Sequence, residues 1–330
     1  MNKLLDLNKL KILLLLLFID QFLAQEILPI EIPLLGEASE RNLEMSGLAW
    51  YKDNLILMPQ YVNESSPAFY FLTKSSLRNW LNGDRREPLT PQRIDVVMPD
   101  YDNLIKGYQG FEAICFNGKD AYLTMESKFN DKMKSFIVKG KINMKNKNLK
   151  IEKDDLKEIP LALNMKNMGY ESILKYKNNL MILFEANGVN VNSNPNASFY
   201  NFSLKRKKSA PFPNIEYRIT DVTEVDNQNK FWALNFFWPG EKKLLKPGSD
   251  IFLKDLSNTN SHQEFDHVER LIEFKIDGKN ISRTNSLPIY LKLNKTSRNW
   301  EGLVRMDKNG FLLIVDEYPR TILAYINQPK

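Results

Sequence analysis

The apolar positions of this chain recur as short runs in pairs, each pair joined by a polar turn. Ser46-Gly47-Leu48-Ala49-Trp50 is followed by a Lys-Asp-Asn turn and Leu55-Ile56-Leu57-Met58. Glu112-Ala113-Ile114-Cys115-Phe116, an Asn-Gly-Lys-Asp turn and Ala121 to Glu126 repeat the arrangement, as do Glu171 to Tyr176 with Leu180 to Glu185. Thr223-Glu224-Val225 with Phe231 to Asn235, and Glu301 to Met306 with Gly310 to Asp316, complete the series. A strand, a turn rich in Asn, Asp, Gly or Lys, and a second strand make a hairpin signature.

The hairpins start at 46, 112, 171, 223 and 301, so the steps are 66, 59, 52 and 78 residues. A loose period of this size suits a propeller of four-stranded blades with variable loops. Further strands are expected at 68–72 and 93–97, at 135–138 and 156–161, at 198–202 and 215–219, and at 270–276 and 287–291. The fifth unit has only 322–326 before the chain ends. The apolar stretch 27–35 carries Pro29 and Pro33, which suit a sheet edge. As the missing outer strand of the last blade it closes the ring and removes an open edge. The expectation is an all-β chain, a single propeller of five blades over 27–330, with a polar insertion at about 239–268. Six blades is the alternative, if the interval 223–300 hides another. Two β-sandwich domains are the rival, but sandwiches require no repeated acid-start hairpin.

Composition leaves this picture in place. The chain has 330 residues, 43% hydrophobic and 26% charged, an ordinary globular balance. Its net charge of +6 is scattered apart from Lys205-Arg206-Lys207-Lys208, which reads as a solvated loop. No aromatic interleaving supports nucleic-acid binding. The single cysteine, Cys115, excludes an intramolecular disulfide and a cysteine zinc cluster, and reads as a buried thiol. His262 and His267 lack the third ligand of a zinc motif. Phe236, Phe237 and Trp238 form either a contact surface or the cap of the insertion.

The start of the chain reads differently. Lys3, Lys9 and Lys11 flank the apolar run Leu13 to Ile19, and Ala24 follows. This describes a secretory signal over 1–25 cut near Ala24 or Gln25, with a retained anchor as the alternative. The expected setting is secreted or periplasmic, and the expected state a monomer without a permanent membrane span. Five Asn-X-Ser/Thr sequons, at Asn63, Asn196, Asn201, Asn280 and Asn294, matter only in a host that glycosylates.

Candidate chemistry lies at the hairpin ends. The inner strands begin with Ser46, Glu112, Glu171, Thr223 and Glu301, and their partners end near Gln60, Glu126, Glu185, Asn235 and Asp316. In an antiparallel hairpin these two ends lie side by side, so six carboxylates converge on one mouth of the central channel: Glu112, Glu126, Glu171, Glu185, Glu301 and Asp316. Crowded carboxylates repel and raise one another's pKa. A bound cation relieves this, and an all-oxygen set with Gln60 and Asn235 suits Ca²⁺ or Mg²⁺ over zinc. The competing reading is structural: polar residues at strand starts accept backbone N–H bonds from the next blade. Arg298, Arg305 and Arg320 are candidates to pair with the acids, and Arg320 alternatively with an anionic ligand.

The strings Ser46-Gly47-Leu48-Ala49-Trp50, Gly110-Phe111-Glu112-Ala113-Ile114 and Asn299-Trp300-Glu301-Gly302-Leu303, with Asp316-Glu317-Tyr318, resemble the phytase-like propeller family and the related SdiA-regulated, NHL-like propellers. The resemblance implies a secreted or periplasmic propeller with an acidic mouth, a divalent cation, and a phosphoric or carboxylic ester as substrate; the all-oxygen ligand set favours Ca²⁺ as that cation. Ser46 and Thr223 depart from the acidic pattern. In the hydrolase reading Glu112, Glu171, Glu301 and Asp316 hold the cation, and Glu126, Glu185 and Arg320 serve the reaction. The alternative is a non-catalytic extracellular binding propeller with a structural cation, its partner an extracellular ligand rather than a small-molecule ester.

Overall fold

The computed structural model describes residues 26–62, 65–83, 87–252 and 260–329. Strands β1 (Glu26–Ile27) and β2 (Ile30–Ile32) precede the first meander, which is β3 (Met45–Tyr51), β4 (Asn54–Pro59), β5 (Ala68–Thr73), helix α1 (Lys74–Asn82) and β6 (Gln92–Val97). Helix α2 (Tyr101–Leu104) leads to the second, β7 (Tyr108–Asn117), β8 (Asp120–Phe129), β9 (Lys132–Asn143) and β10 (Asn148–Ile159). The third is β11 (Ser172–Tyr176), β12 (Asn179–Leu183), β13 (Asn196–Asn201) and β14 (Arg206–Pro211). The fourth runs from β15 (Arg218–Val222) and β16 (Lys230–Phe237), through α3 (Lys242–Leu245) and α4 (Asn260–Glu264), to β17 (Val268–Asp277), β18 (Asn280–Arg283) and β19 (Ile289–Leu291). The fifth is β20 (Trp300–Met306), β21 (Gly310–Val315) and β22 (Ile322–Asn327).

The strand pairing makes an all-β propeller. The innermost strands neighbour one another in a circuit, β3 on β7, β7 on β11, β11 on β15, β15 on β20, and β20 back on β3. β2 pairs antiparallel with β22, so the proline-flanked strand lies at the outer edge of the fifth meander. β1 adds in parallel to β19, so this one segment ties the fourth meander to the fifth. The expected signal segment, 1–25, and the sequon at Asn63 lie outside the described residues. No helix among the described residues is long and apolar enough to cross a membrane.

Packing explains why the second strand of each hairpin is apolar throughout instead of alternating. Each meander is covered on both faces by its neighbours, so both sets of side chains are buried. In β21, Phe311, Leu313 and Val315 pack toward the fourth meander, whereas Leu312 and Ile314 pack toward the first. In β12, Leu180 and Ile182 face the second meander while Met181 and Leu183 face the fourth. In β4, Leu55 and Leu57 face the fifth, and Ile56 and Met58 the second. Burying one such side chain stabilises the fold by about 1.5–3 kcal/mol. A core cluster fills the gap between each pair of neighbours around the ring.

Two expectations need correction. The fourth inner strand begins at Arg218, not at Thr223, and the stretch 215–219 is therefore not the outer strand of the third meander. That outer strand is β14, which contains Arg206, Lys207 and Lys208. The basic run is an edge strand with its side chains in solvent, where lysines discourage pairing with another chain. The insertion between β16 and β17 holds α3 and α4. Phe236 and Phe237 are buried in β16, Phe237 stacked on Tyr217 at 4.5 Å, and only Trp238 of the aromatic triplet is exposed.

Candidate functional site: an acidic mouth clamped by one arginine

The inner strands deliver side chains to one end of the axis through a repeated β-bulge. The register slips between Met45 and Gly47, between Phe111 and Ala113, between Ile219 and Asp221, and between Trp300 and Gly302. The extra residues are Ser46, Glu112, Thr220 and Glu301. A bulge leaves one residue out of the ladder and re-aims its side chain. Two of the four stitch the ring together: Ser46 Oγ donates to Phe111 O at 2.7 Å, and Thr220 Oγ1 to Trp300 O at 2.6 Å. This is the structural role weighed for polar strand starts. Glu112 and Glu301 stay carboxylic, and Glu171 stands just before β11.

Between the acids lies a residue that sequence reasoning missed. Arg218 is buried, and its Nε donates to Glu185 Oε2 at 2.6 Å while Nη2 donates to Glu171 Oε1 at 2.7 Å. Glu301 Oε1 and Glu241 Oε1 lie 3.6 Å from its two terminal nitrogens. A guanidinium thus stands where a cation was expected. Its fork matches two carboxylates at once, which a lysine cannot do. The signal was present as an arginine in a strand-like stretch, but assigning that stretch to an outer strand placed it far from the axis.

The remaining acids are held by neutral donors. Glu185 Oε1 accepts from Gly169 N at 2.7 Å, and Glu126 Oε1 from Tyr170 N at 3.1 Å. A Cβ on Gly169 would fall 1.3 Å from Glu126 Oε1, so any other residue here would push the Glu126 carboxyl from its place. Asn299 Nδ2 bridges Glu301 Oε1 at 2.7 Å and Asp316 Oδ2 at 2.8 Å. Gln60 Nε2 donates to Glu112 Oε1 at 3.1 Å, so it presents its amine side to the acid. Asn235, the other expected carbonyl donor to a cation, is turned outward: its Oδ1 accepts from Arg270 Nε at 2.8 Å and its Nδ2 donates to Arg218 O at 2.9 Å.

The structure therefore brings together Glu112, Glu126, Glu171, Glu185, Glu301 and Asp316, and adds Arg218. It does not bring Arg320 to them. That side chain is exposed and ion-pairs with Glu31 of β2. Arg298 is buried against Glu269, and Arg305 pairs with Asp226 at the opposite end of the axis. Thr223, expected at the mouth, bonds Trp232 N instead.

One cation among six carboxyls leaves most of the negative charge uncompensated. Burial, then neighbouring acids, push Glu112, Glu185 and Glu301 well above the ordinary carboxylic range. Burial and Glu171 push Glu126 up to about 8. On the rim Glu44 is pushed up to about 7 by burial, with Glu317 and Asp316 adding to it. Glu171 is also raised by burial, with Arg218 pulling against that shift, and its Oε2 has no hydrogen-bond partner. Glu171 is 8% exposed and Glu185 0%, although Glu171 Oε2 itself is shielded from solvent. Exposed Tyr61 lies near Glu44 on the rim, and exposed Tyr318 donates its N–H to Asp316 Oδ1 at 3.1 Å with its ring under the Arg41 guanidinium at 4.6 Å. Among the described residues no group of three or more His, Cys, Asp or Glu side chains is arranged to hold a metal ion. The four expected ligands, Glu112, Glu171, Glu301 and Asp316, each already accept from a protein donor.

No family model matches the chain, and no curated protein matches it. The resemblance to phytase-like propellers thus has no family model behind it. Among solved structures the chain is similar to Myxococcus xanthus glutaminyl cyclase, at 7% identity and a TM-score of 0.46 over 93% of this chain and 100% of that one. It is similar to a family 117 glycoside hydrolase of the marine bacterium Zobellia galactanivorans, at 10% identity and a TM-score of 0.49 over 92% and 90% of the two chains. A glycoside hydrolase of Parabacteroides distasonis shares 10% identity at a TM-score of 0.48, over 88% of each chain. Likenesses this distant assign no activity here.

Proposed function

We propose that the acidic mouth is the active site of a hydrolase that cleaves a neutral C–O bond, a carboxylic ester first. The observation that carries this reading is the coexistence, within one cluster at the mouth, of Glu171, which Arg218 bonds and pulls down against burial, and of Glu112 and Glu301, which burial and neighbouring acids push well above the ordinary carboxylic range. Glu171, whose Oε2 has no hydrogen-bond partner but is shielded from solvent, is the general base toward a water admitted to the cluster with the substrate. Glu112 or Glu301, each pushed well above the ordinary carboxylic range by burial, is the acid that supplies a proton to the leaving oxygen. Each role is worth typically 10²–10⁴-fold in rate, roughly. Glu126, Glu185 and Asp316 hold these groups in place and keep the local field negative. That field favours a neutral substrate over a phosphate ester, because Arg218 is already committed to Glu171 and Glu185.

The screen uses nitrophenyl acetate, nitrophenyl glycosides and nitrophenyl phosphate on the purified chain. Turnover of the acetate without added metal is the expected result. No turnover of any of them leaves a binding propeller as the surviving function, and phosphate cleaved in preference to acetate removes the neutral-substrate preference.

A second reading has one specific observation in its favour. The unpartnered Glu171 Oε2, in a cluster with excess negative charge, suits a divalent cation, Ca²⁺ before Mg²⁺. A cation there would reverse the charge preference and admit a phosphate ester, in line with the phytase-like resemblance and with the secreted setting read from the start of the chain. Melting curves with calcium, with magnesium and with a chelator decide it. A stabilisation of about 2.7 kcal/mol is expected at a hundredfold excess over the dissociation constant, and superimposable curves remove the cation.

A further inference from the structure

At the other end of the axis the inner strands run out around a separate cavity of about 530 Å³. Its size falls in the range of small-molecule sites, roughly 300–1,000 Å³. The walls are apolar: Leu48, Ile114, Val222 and Val304 come from four different meanders. None of the mouth acids lines it.

The charged groups around this cavity are arranged by sign. Glu224, which follows β15, is exposed to the cavity and hemmed in by protein around it. Backbone N–H groups, its own and that of Trp50, bond its carboxylate; burial raises its pKa, and Arg305 and Lys74, near enough to act but not in ion-pair contact, pull against that shift. Lys175 and Lys177, on the β11–β12 hairpin of the neighbouring meander, are exposed at the cavity's edge. Among the described residues neither lysine nor Glu224 has an ion-pair partner, and Lys177 Nζ rests 5.1 Å from the Tyr176 ring. Asp226 is different, because Arg305 lies 3.6 Å away and the N–H groups of Gln228 and Lys230 fill its other oxygen. A neutral apolar solute would strip water from Glu224 and return nothing. A simple cation would meet the lysines, and a simple anion Glu224.

We propose that this cavity binds a small zwitterion with an apolar body, an apolar α-amino acid or dipeptide. Its ammonium sits on Glu224, its carboxylate on Lys175 and Lys177, and its side chain against Leu48, Ile114, Val222 and Val304. This site is independent of the acidic mouth and stands whether or not the mouth is catalytic.

Calorimetric titration of the full chain with phenylalanine, phenylalanine amide and N-acetylphenylalanine tests it, since the three share one side chain and differ only in charge. Phenylalanine is expected to bind at least about tenfold more tightly than either derivative, the difference of one charged hydrogen bond. Glu224→Gln, and separately the pair Lys175→Met with Lys177→Met, are each expected to weaken it by about tenfold while the melting temperature holds. Equal binding of the three probes, tighter binding of the amide or the acetylated form, no heat with phenylalanine, or titrations that ignore both sets of substitutions would each overturn the proposal.

Discussion

Arg218→Met should cost the fold about 3–5 kcal/mol at neutral pH, the usual penalty for leaving a buried ion pair half removed. Glu185 is fully buried and Glu171 nearly so, and each receives a charge-assisted bond from this one guanidinium. Methionine fills the space without supplying a donor. The variant also carries a pH signature. Without Arg218, the carboxyls at Glu171 and Glu185 rise further above their unfolded values, because the main lowering influence on both is gone. A carboxyl whose folded pKa is raised binds more protons in the folded state. Its contribution is complete below the unfolded pKa and is lost as pH rises through the folded one. The deficit of the variant should therefore shrink toward pH 5 and widen toward pH 8.5. The wild-type chain should follow a weaker version of the same trend, since Glu126 titrates from 4.5 when unfolded to about 8 when folded. Urea unfolding at three pH values measures both. A loss below about 1 kcal/mol, or one that does not vary with pH, would mean that the acids carry no charge even beside Arg218. Arg218→Lys should recover little, because a point charge cannot bond Glu171 and Glu185 together.

The fold was legible where burial acts on both faces of a strand. Leu55 to Met58, Leu180 to Leu183 and Phe311 to Val315 are apolar at every position because neighbours cover both sides, and such runs stand out in any sequence. The stretch 27–35 was legible for the opposite reason, since its prolines fit only an edge. The fourth inner strand was not legible. Ile215 to Val222 alternates apolar and polar residues, the pattern of a half-exposed outer strand. Its polar positions are inward: Arg218 clamps the acids, Thr220 stitches to the fifth meander, and Asp221 Oδ2 accepts from Leu303 N at 2.7 Å. A buried polar network imitates exposure in the sequence, and this is how Thr223 took the place of Arg218. The six acids were legible because hairpin geometry alone sets strand starts beside strand ends. What satisfies them was not: Asn299 and Gly169 both stand two residues before an inner acid, but one donates from a side-chain amide and the other from its backbone N–H, and Arg218 stands where the other inner strands carry no cation. The cavity at the far end depends on ring closure, which brings Leu48 and Val304 together from distant parts of the chain.

Glu171→Gln is the variant that separates the chemistry of the mouth from its architecture. The amide oxygen at Oε1 still accepts from Arg218 Nη2, Glu185 still pairs with Nε, and one buried negative charge disappears from a cluster that has too many. Stability should fall by no more than about 1–2 kcal/mol, because the acceptor toward Arg218 is retained and the cost is the new amide N–H group in a buried position that has no partner. Activity should not survive. The free oxygen at Oε2 becomes an amide nitrogen, which cannot take a proton from water at any accessible pH. Loss of a general base lowers kcat by roughly 10²–10⁴-fold. KM should hold, because Glu171 is a proton acceptor and not the principal contact for a neutral substrate. Initial rates on the best ester from the screen, read beside urea unfolding of the same preparation, give both quantities. Unchanged turnover with unchanged stability would remove Glu171 as the base. A fall in turnover matched by a loss of several kcal/mol would show instead that Glu171 holds Arg218 in place. Turnover lost with the fold kept is the pattern that assigns the reaction to this carboxylate.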